Sequence, residues 1–154
     1  MSQPSNPRVV VVDANILIAI CSIEPLTFNT AEQAFTAYAS KGYSFFAPNV
    51  IVAEVMYVLC QKLQSGILTP ITYDEAIENF KDQMKAIAPP PQGETALIQR
   101  AKEIQSGYGC SHSADCLYLA LAESLGAEFL TFDKGLVNQT AKNASSVTVN
   151  LLPI

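Results

Sequence analysis

The sequence predicts an α/β fold, a three-layer sandwich in which helices flank a central, mostly parallel β-sheet. Segments with strand character alternate with segments of helical character along the whole chain. The first of them, residues 8–12, continues from an arginine into four valines. Such an uninterrupted β-branched run is typical of a parallel strand that is buried on both faces.

Length and composition agree with one compact domain. The chain has 154 residues, 49% of them hydrophobic and 15% charged, which excludes a disordered protein. We expect residues 1–7 to form a flexible tail and residues 8–154 to form a single domain. The tail is polar and no apolar stretch approaches the ~20 residues of a membrane helix, so we expect no signal peptide, no membrane association and a cytoplasmic location.

The first half of the chain contains two predicted strands and three predicted helices. The second helix begins with an apparent capping box, Asn29 to Glu32, and ends at Gly42. Pro25 closes the first helix and Gly66 stops the third. In chain order the elements are a strand at 8–12, a helix at 14–22, a helix at 29–42, a strand at 43–48 and a helix at 50–64.

The second half continues the alternation. A charged helix has an apparent capping box from Thr72 to Glu75 and ends before three consecutive prolines at 89–91, which cannot continue a helix. A nearly all-apolar helix closes at Gly126. In chain order the elements are helices at 72–88, 94–106 and 111–126, a strand at 127–132, a helix at 134–142 and a strand at 147–152.

The charge content limits how the protein could bind a polyanionic substrate. The net charge is −5, from 14 acidic and 9 basic residues, and there is no run of lysine or arginine. A polyanionic substrate would therefore need a bridging cation or a local basic patch. That patch could be assembled from distant basic residues, for which the candidates are Arg8, Lys41, Lys62, Arg100 and Lys102.

The four cysteines form no CxxC pair, which argues against a ribbon-type zinc site and against a thioredoxin-like redox motif. Three of them lie in apolar surroundings and are most simply interpreted as small buried hydrophobic residues. Cys110, His112 and Cys116 are an alternative metal-ligand set, although their spacing matches no known finger pattern.

Two aspartates end predicted strands. Asp13 follows the first strand, and Asp133 follows the strand at 127–132, with Thr131 two residues before it. Open parallel sheets bind ligands at the carboxyl ends of their strands. The alternative for each aspartate is a helix N-cap, a position that favours Asp.

Two further acids lie in apolar helices. Glu54 shares its helix face with apolar neighbours three and four residues away, so its carboxylate needs a cation, hydrogen-bond donors or exposure. Asp115 lies in the first turn of the all-apolar helix, where the helix dipole also favours an acid. Asp13, Glu54, Asp115 and Asp133 would point toward one edge of the sheet and repel one another without a cation. Mg²⁺ or Mn²⁺, which prefer oxygen ligands, would remove that repulsion and suit phosphoryl chemistry.

These motifs resemble the PIN domain, and in length and arrangement the single-domain ribonucleases typified by VapC toxins. The resemblance covers almost the whole chain after the tail. It depends on four short motifs in the family's order: VVVVDAN (9–15), PNVIVAE (48–54), ADCLYLALA (114–122) and LTFDKGL (130–136). Ala14 departs from the family, many members of which have threonine there.

The resemblance implies a metal-dependent ribonuclease whose acidic cluster is Asp13, Glu54, Asp115 and Asp133. Asn15 and Thr131 match positions where the family often has supporting polar residues. It also implies a homodimer and a small antitoxin partner. Two candidates for contacts with RNA are Lys134, which could instead be an ordinary solvated lysine, and His112, which could instead be a surface histidine.

Two rival functions remain open. A magnesium-dependent phosphohydrolase of haloacid-dehalogenase type would use Asp13 as a covalent nucleophile, but it needs an acid two residues later, where Asn15 stands. A non-catalytic binding module with the same fold would act only through its partners.

Overall fold

A computed structural model of the chain describes residues 7–107, 114–143 and 146–154. In these residues five strands form one sheet in the order β3-β2-β1-β4-β5, and every neighbouring pair is parallel. The strands are β1 (Val9–Val12), β2 (Ser44–Phe46), β3 (Ile87–Ala88), β4 (Glu128–Thr131) and β5 (Val149–Leu151). The predicted flexible tail lies outside the described residues, apart from Pro7.

Seven α-helices and one short 3₁₀ helix, Glu94–Leu97, accompany the sheet in the described ranges. The first four helices pack mainly against one another, and the last three form a second group. They are α1 (Ala14–Cys21), α2 (Phe28–Ser40), α3 (Val50–Gln64), α4 (Pro70–Met84), α5 (Ile98–Gly107), α6 (Asp115–Leu125) and α7 (Gly135–Asn143).

The central strand is covered on both faces. Side chains alternate between the two faces of a strand, and Val10, Val11 and Val12 are all fully buried. Phe129 and Leu130 of the neighbouring β4 are also fully buried. The predicted three-layer α/β sandwich is therefore confirmed, and no helix in the described part of the chain is long and apolar enough to cross a membrane.

Both predicted capping boxes are wrong. The second helix begins at Phe28, so Asn29 lies inside it and cannot cap it. The fourth helix begins two residues earlier than predicted, with Pro70 at its first position, where a missing N–H costs nothing. Its capping box joins Thr69 and Thr72, whose hydroxyls each accept a backbone N–H from the other residue, at 2.8 and 3.1 Å.

The third strand was missed. Ile87 and Ala88 were assigned to the end of a helix, but they pair with Phe45 and Phe46 of β2. A residue before proline disfavours the α conformation, and Pro89 follows directly, so the helix ends at Met84 and the chain becomes extended.

Smaller differences concern the predicted helix at 94–106 and the cysteines. That helix opens as the 3₁₀ turn and its α-helical part runs from Ile98 to Gly107. Cys21 and Cys116 are buried as predicted, whereas Cys60 is exposed on α3. Residues 111–113, the predicted start of the apolar helix, lie outside the described ranges.

Gly126 connects α6 to β4 and so determines how the chain enters the strand that carries Thr131. It has a left-handed conformation with φ +63°, and a Cβ placed there would meet no atom within 4 Å. Gly126→Ala should therefore destabilise the fold through backbone strain alone, by about 1–2 kcal/mol.

Chemical denaturation measures that loss. Gly126→Asn is the matched control, because asparagine tolerates the left-handed region better and should lose less stability. Equal stability of wild type and Gly126→Ala would contradict the assigned conformation.

Candidate active site

The candidate site lies at the carboxyl ends of β1 and β4, where the strand order changes direction. From β1 the chain proceeds to β2 on one side, whereas β4 and β5 lie on the other. Ligands bind at such switch points in open parallel sheets. The backbone N–H of Asp13 donates to the Leu130 carbonyl at 3.0 Å, so β1–β4 pairing continues to the site itself.

Asp13 is the innermost acid of the site, with 8% of its surface exposed. Its backbone occupies the N-cap position of α1, but its side chain makes no capping hydrogen bond. Instead its Oδ2 accepts hydrogen bonds from Thr131 Oγ1 at 2.8 Å and from Asn15 Nδ2 at 3.3 Å. The carboxylate is therefore held by the side chains of Thr131, on β4, and of Asn15, in the first turn of α1.

Thr131 and Asn15 join the two strand ends. The fully buried Thr131 hydroxyl donates to Asp13 and accepts from Asn15 Nδ2 at 3.2 Å and from the Asp133 N–H at 3.0 Å. The Asn15 side-chain oxygen accepts the Phe132 N–H at 3.3 Å. These bonds satisfy polar groups at the strand ends and restrict the position of the Asp13 carboxylate.

Glu54 reaches the same site from α3. Its half-buried side chain accepts a hydrogen bond from the Tyr118 hydroxyl at 2.5 Å. Burial raises the pKa of Glu54; the hydrogen bond from Tyr118 opposes that rise, and repulsion by Asp115 adds to it. Sequence reasoning required a donor for this acid but missed Tyr118, although its spacing of three residues from Asp115 places both on one face of α6.

The acids of the site interact through their charges. Asp115 is half-buried in the first turn of α6. Burial, above all, raises the pKa of the Asp13 carboxyl from its ordinary 3.8 to about 7; repulsion by Asp115 and Glu54 adds to the rise, and the hydrogen bond from Thr131 opposes it. Asp13, Glu54 and Asp115, three of the four predicted acids, therefore lie close enough to interact through their charges.

Asp133 is placed differently. Its side chain is exposed, and its Oδ1 accepts the Gly135 N–H at 2.9 Å at the start of α7. This bond to the start of α7 agrees with the alternative interpretation of Asp133, that of a helix N-cap. Its backbone N–H nevertheless bonds to Thr131, so Asp133 lies at the rim of the site. Lys134 beside it is exposed, whereas His112 and Cys110 lie outside the described residues.

Several of the candidate basic residues have partners elsewhere in the fold. Arg8, which precedes β1, donates to the Lys41 carbonyl at 2.7 Å and lies at the amino end of the sheet, away from the site. Lys62 pairs with Glu24 at 2.9 Å. Arg100 of α5 pairs with Glu103 and Glu123. Arg8, Lys62 and Arg100 therefore already have partners of their own in the described part of the chain.

The donor chemistry of the site fits a hard divalent cation. The acids present carboxylate oxygens, and their mutual repulsion disappears when a cation lies among them. In the described residues no three His, Cys, Asp or Glu side chains are close enough to hold one metal ion together. Mg²⁺ keeps several waters and needs only one or two direct carboxylates, so an ion here would be held by fewer than three of these side chains and would stay partly hydrated.

Comparisons with known proteins agree with the fold and motifs. No curated protein matches the chain. Among solved structures, the chain is similar to VapBC2 from Rickettsia felis bound to a DNA fragment from their promoter, with a TM-score of 0.66 over 94% of this chain and 99% of that one. At 11% identity this likeness shows the fold alone. The family model of the PIN domain matches residues 10–142, and the chain therefore belongs to the PIN domain family.

Proposed function

We propose that the protein is a metal-dependent endoribonuclease that hydrolyses phosphodiester bonds in RNA. The observation that carries the proposal is a buried acid, Asp13, with Asp115 and Glu54 close enough to repel it. They meet at the carboxyl edge of a sheet, in a chain that belongs to the PIN domain family. Such a site is costly to the fold unless a cation occupies it.

Asp13 and Asp115 would hold Mg²⁺ or Mn²⁺ directly, and Glu54 would do so directly or through a water. When bound, the ion lowers the pKa of a water and offsets charge on the scissile phosphate. Thr131 and Asn15 fix the Asp13 carboxylate through the bonds described above. Asp133 and Lys134 at the rim would complete the site, the lysine by contacting a phosphate.

The arrangement of Asn15 speaks against the phosphohydrolase alternative. Its amide donates to Asp13 and Thr131, while its oxygen accepts the Phe132 N–H. The side chain is therefore engaged in holding the strand ends together, and an amide has no acidic proton to give to a leaving group.

We further propose that the protein is the toxin of a toxin–antitoxin pair and acts as a homodimer in the cytoplasm. VapBC2, to which the fold is similar, is by its name a complex bound to promoter DNA. We expect a short reading frame beside the gene to encode a DNA-binding antitoxin. Light scattering tests the dimer against the 16.6 kDa of one chain, and a mass of one chain at micromolar concentration would contradict it.

The first test is cleavage of RNA. Wild type should cut RNA with Mg²⁺ or Mn²⁺ and stop when a chelator is added. Asp13→Asn and Asp115→Asn should each lower the rate by at least about 100-fold, the scale on which loss of one preorganised charged group acts.

The matched control for that assay is Asp82→Asn, which makes the same charge change at an exposed residue of α4 and should retain wild-type activity. Cleavage that continues in excess chelator would refute the metal-dependent mechanism. A fully folded wild type that cuts no RNA while releasing inorganic phosphate from small esters would favour the phosphohydrolase.

The second test measures the stability of the metal-free protein as a function of pH. Because the pKa of Asp13 is raised from 3.8 to about 7, the folded state disfavours the ionised carboxylate. Below pH 4 the protonated carboxyl does not lower the free energy of unfolding. As pH rises from 4 to 7 the free energy of unfolding falls by up to about 4 kcal/mol, and above pH 7 the loss levels off. Asp13→Asn should therefore become more stable than wild type as pH rises from 4 to 8.

Thermal unfolding in chelator measures this difference, with Asp82→Asn as the control that should follow wild type. Added Mn²⁺ at pH 8 should raise the unfolding temperature of wild type but not that of Asp13→Asn. A constant difference between wild type and Asp13→Asn at every pH would contradict the buried, repelled carboxylate.

A further inference from the structure

We propose that Tyr118 is a positioning residue of the active site, which fixes the Glu54 carboxylate and thereby raises the affinity of the site for a divalent cation. The inference rests on the proposed function and adds to it a residue outside the four acids. Tyr118 would act on a bound metal ion only through Glu54.

Tyr118 connects three parts of the fold. It lies on α6 and is fully buried, and its ring packs against Phe129 of β4 with the ring centroids 5.6 Å apart. Its hydroxyl donates to Oε1 of Glu54, on α3, at 2.5 Å. The ring is held by the core, so the hydroxyl presents a fixed donor to an acid on another helix.

The same helix face carries an acid of the site. Asp115 precedes Tyr118 by three residues, so the two side chains are neighbours on α6. Asp13, Glu54 and Asp115 all act on the Tyr118 phenol through their charges. The phenol therefore contacts Glu54 and lies within electrostatic range of Asp13 and Asp115.

The hydrogen bond limits how Glu54 can bind a cation. With Oε1 engaged by Tyr118, Oε2 remains as the oxygen free of this bond, so Glu54 would act through one oxygen, directly or through a water. The bond also fixes the rotamer of Glu54 when the protein folds, before any metal ion binds. Such preorganisation increases affinity, because the flexibility of the side chain has already been lost.

A second tyrosine–glutamate pair serves as an internal comparison. The Tyr38 hydroxyl donates to Oε2 of Glu128 and accepts from Asn150 Nδ2, the latter at 2.8 Å. Glu128 is the first residue of β4, so this pair lies toward the amino end of the sheet, opposite the site. Tyr38→Phe therefore removes the same kind of bond away from the acids.

The experiment measures Mn²⁺ affinity by calorimetry, beside thermal unfolding in chelator. Tyr118→Phe should weaken Mn²⁺ binding about 10-fold, within the range for residues that orient metal ligands. Tyr38→Phe should bind Mn²⁺ like wild type, although it too loses a hydrogen bond. Because Tyr118 acts through Glu54, the double variant Tyr118→Phe/Glu54→Gln should bind no more weakly than Glu54→Gln alone.

Glu54→Asp provides a second route if Tyr118→Phe does not fold. It keeps the charge but shortens the side chain away from the Tyr118 hydroxyl, and it should weaken Mn²⁺ binding to a similar extent. If wild type binds Mn²⁺ and Tyr118→Phe binds it equally well, the inference about Tyr118 is overturned, whereas the proposed function is not. If Tyr118→Phe does not fold, equal binding by wild type and Glu54→Asp has the same meaning. Additive losses in the double variant would do the same, and a wild type that binds no Mn²⁺ would overturn the proposed function with it.

Discussion

Burial of a negative charge beside two like charges is the constraint that organises this molecule. Asp13 is almost completely removed from solvent, and Asp115 and Glu54 repel it there. The hydrogen bond from Thr131 offsets part of the cost, but the pKa of the carboxyl still rises to about 7. The bound cation of the proposed function would make this arrangement favourable, which connects the packing of the site to its proposed chemistry.

The fold produces the constraint through a few connections. Parallel pairing of β1 and β4 places Asp13 beside Thr131, although they are 118 residues apart in sequence. Two helices from different parts of the chain then supply Glu54 and Asp115, and Tyr118 ties one helix to the other. Glu54 and Asp115 thus stand on helices, and Asp13 stands at the junction of β1 and α1. Their positions therefore depend on the packed core rather than on a long loop.

Sequence reasoning predicted what depends on local pattern. The valine run, the apolar helix and the acids that interrupt them were visible, and they led to the three-layer fold and to Asp13, Glu54 and Asp115. It failed where the outcome depends on competition between neighbours or on distant contacts. The capping box between Thr69 and Thr72 sets the helix start at Pro70. The strand at Ile87 forms by pairing with β2. Tyr118 looked like one more core aromatic, since only the tertiary structure shows that its hydroxyl meets Glu54.

The most direct measurement of the central claim is the position of a bound ion. A crystal of the wild-type protein soaked in Mn²⁺ and measured at the manganese absorption edge would show it as an anomalous peak. We expect a peak about 2 Å from carboxylate oxygens of Asp13 and Asp115, with Glu54 bound to the ion directly or through a water. Intact, well-ordered carboxylates with no peak between them, at Mn²⁺ concentrations that support cleavage, would contradict it.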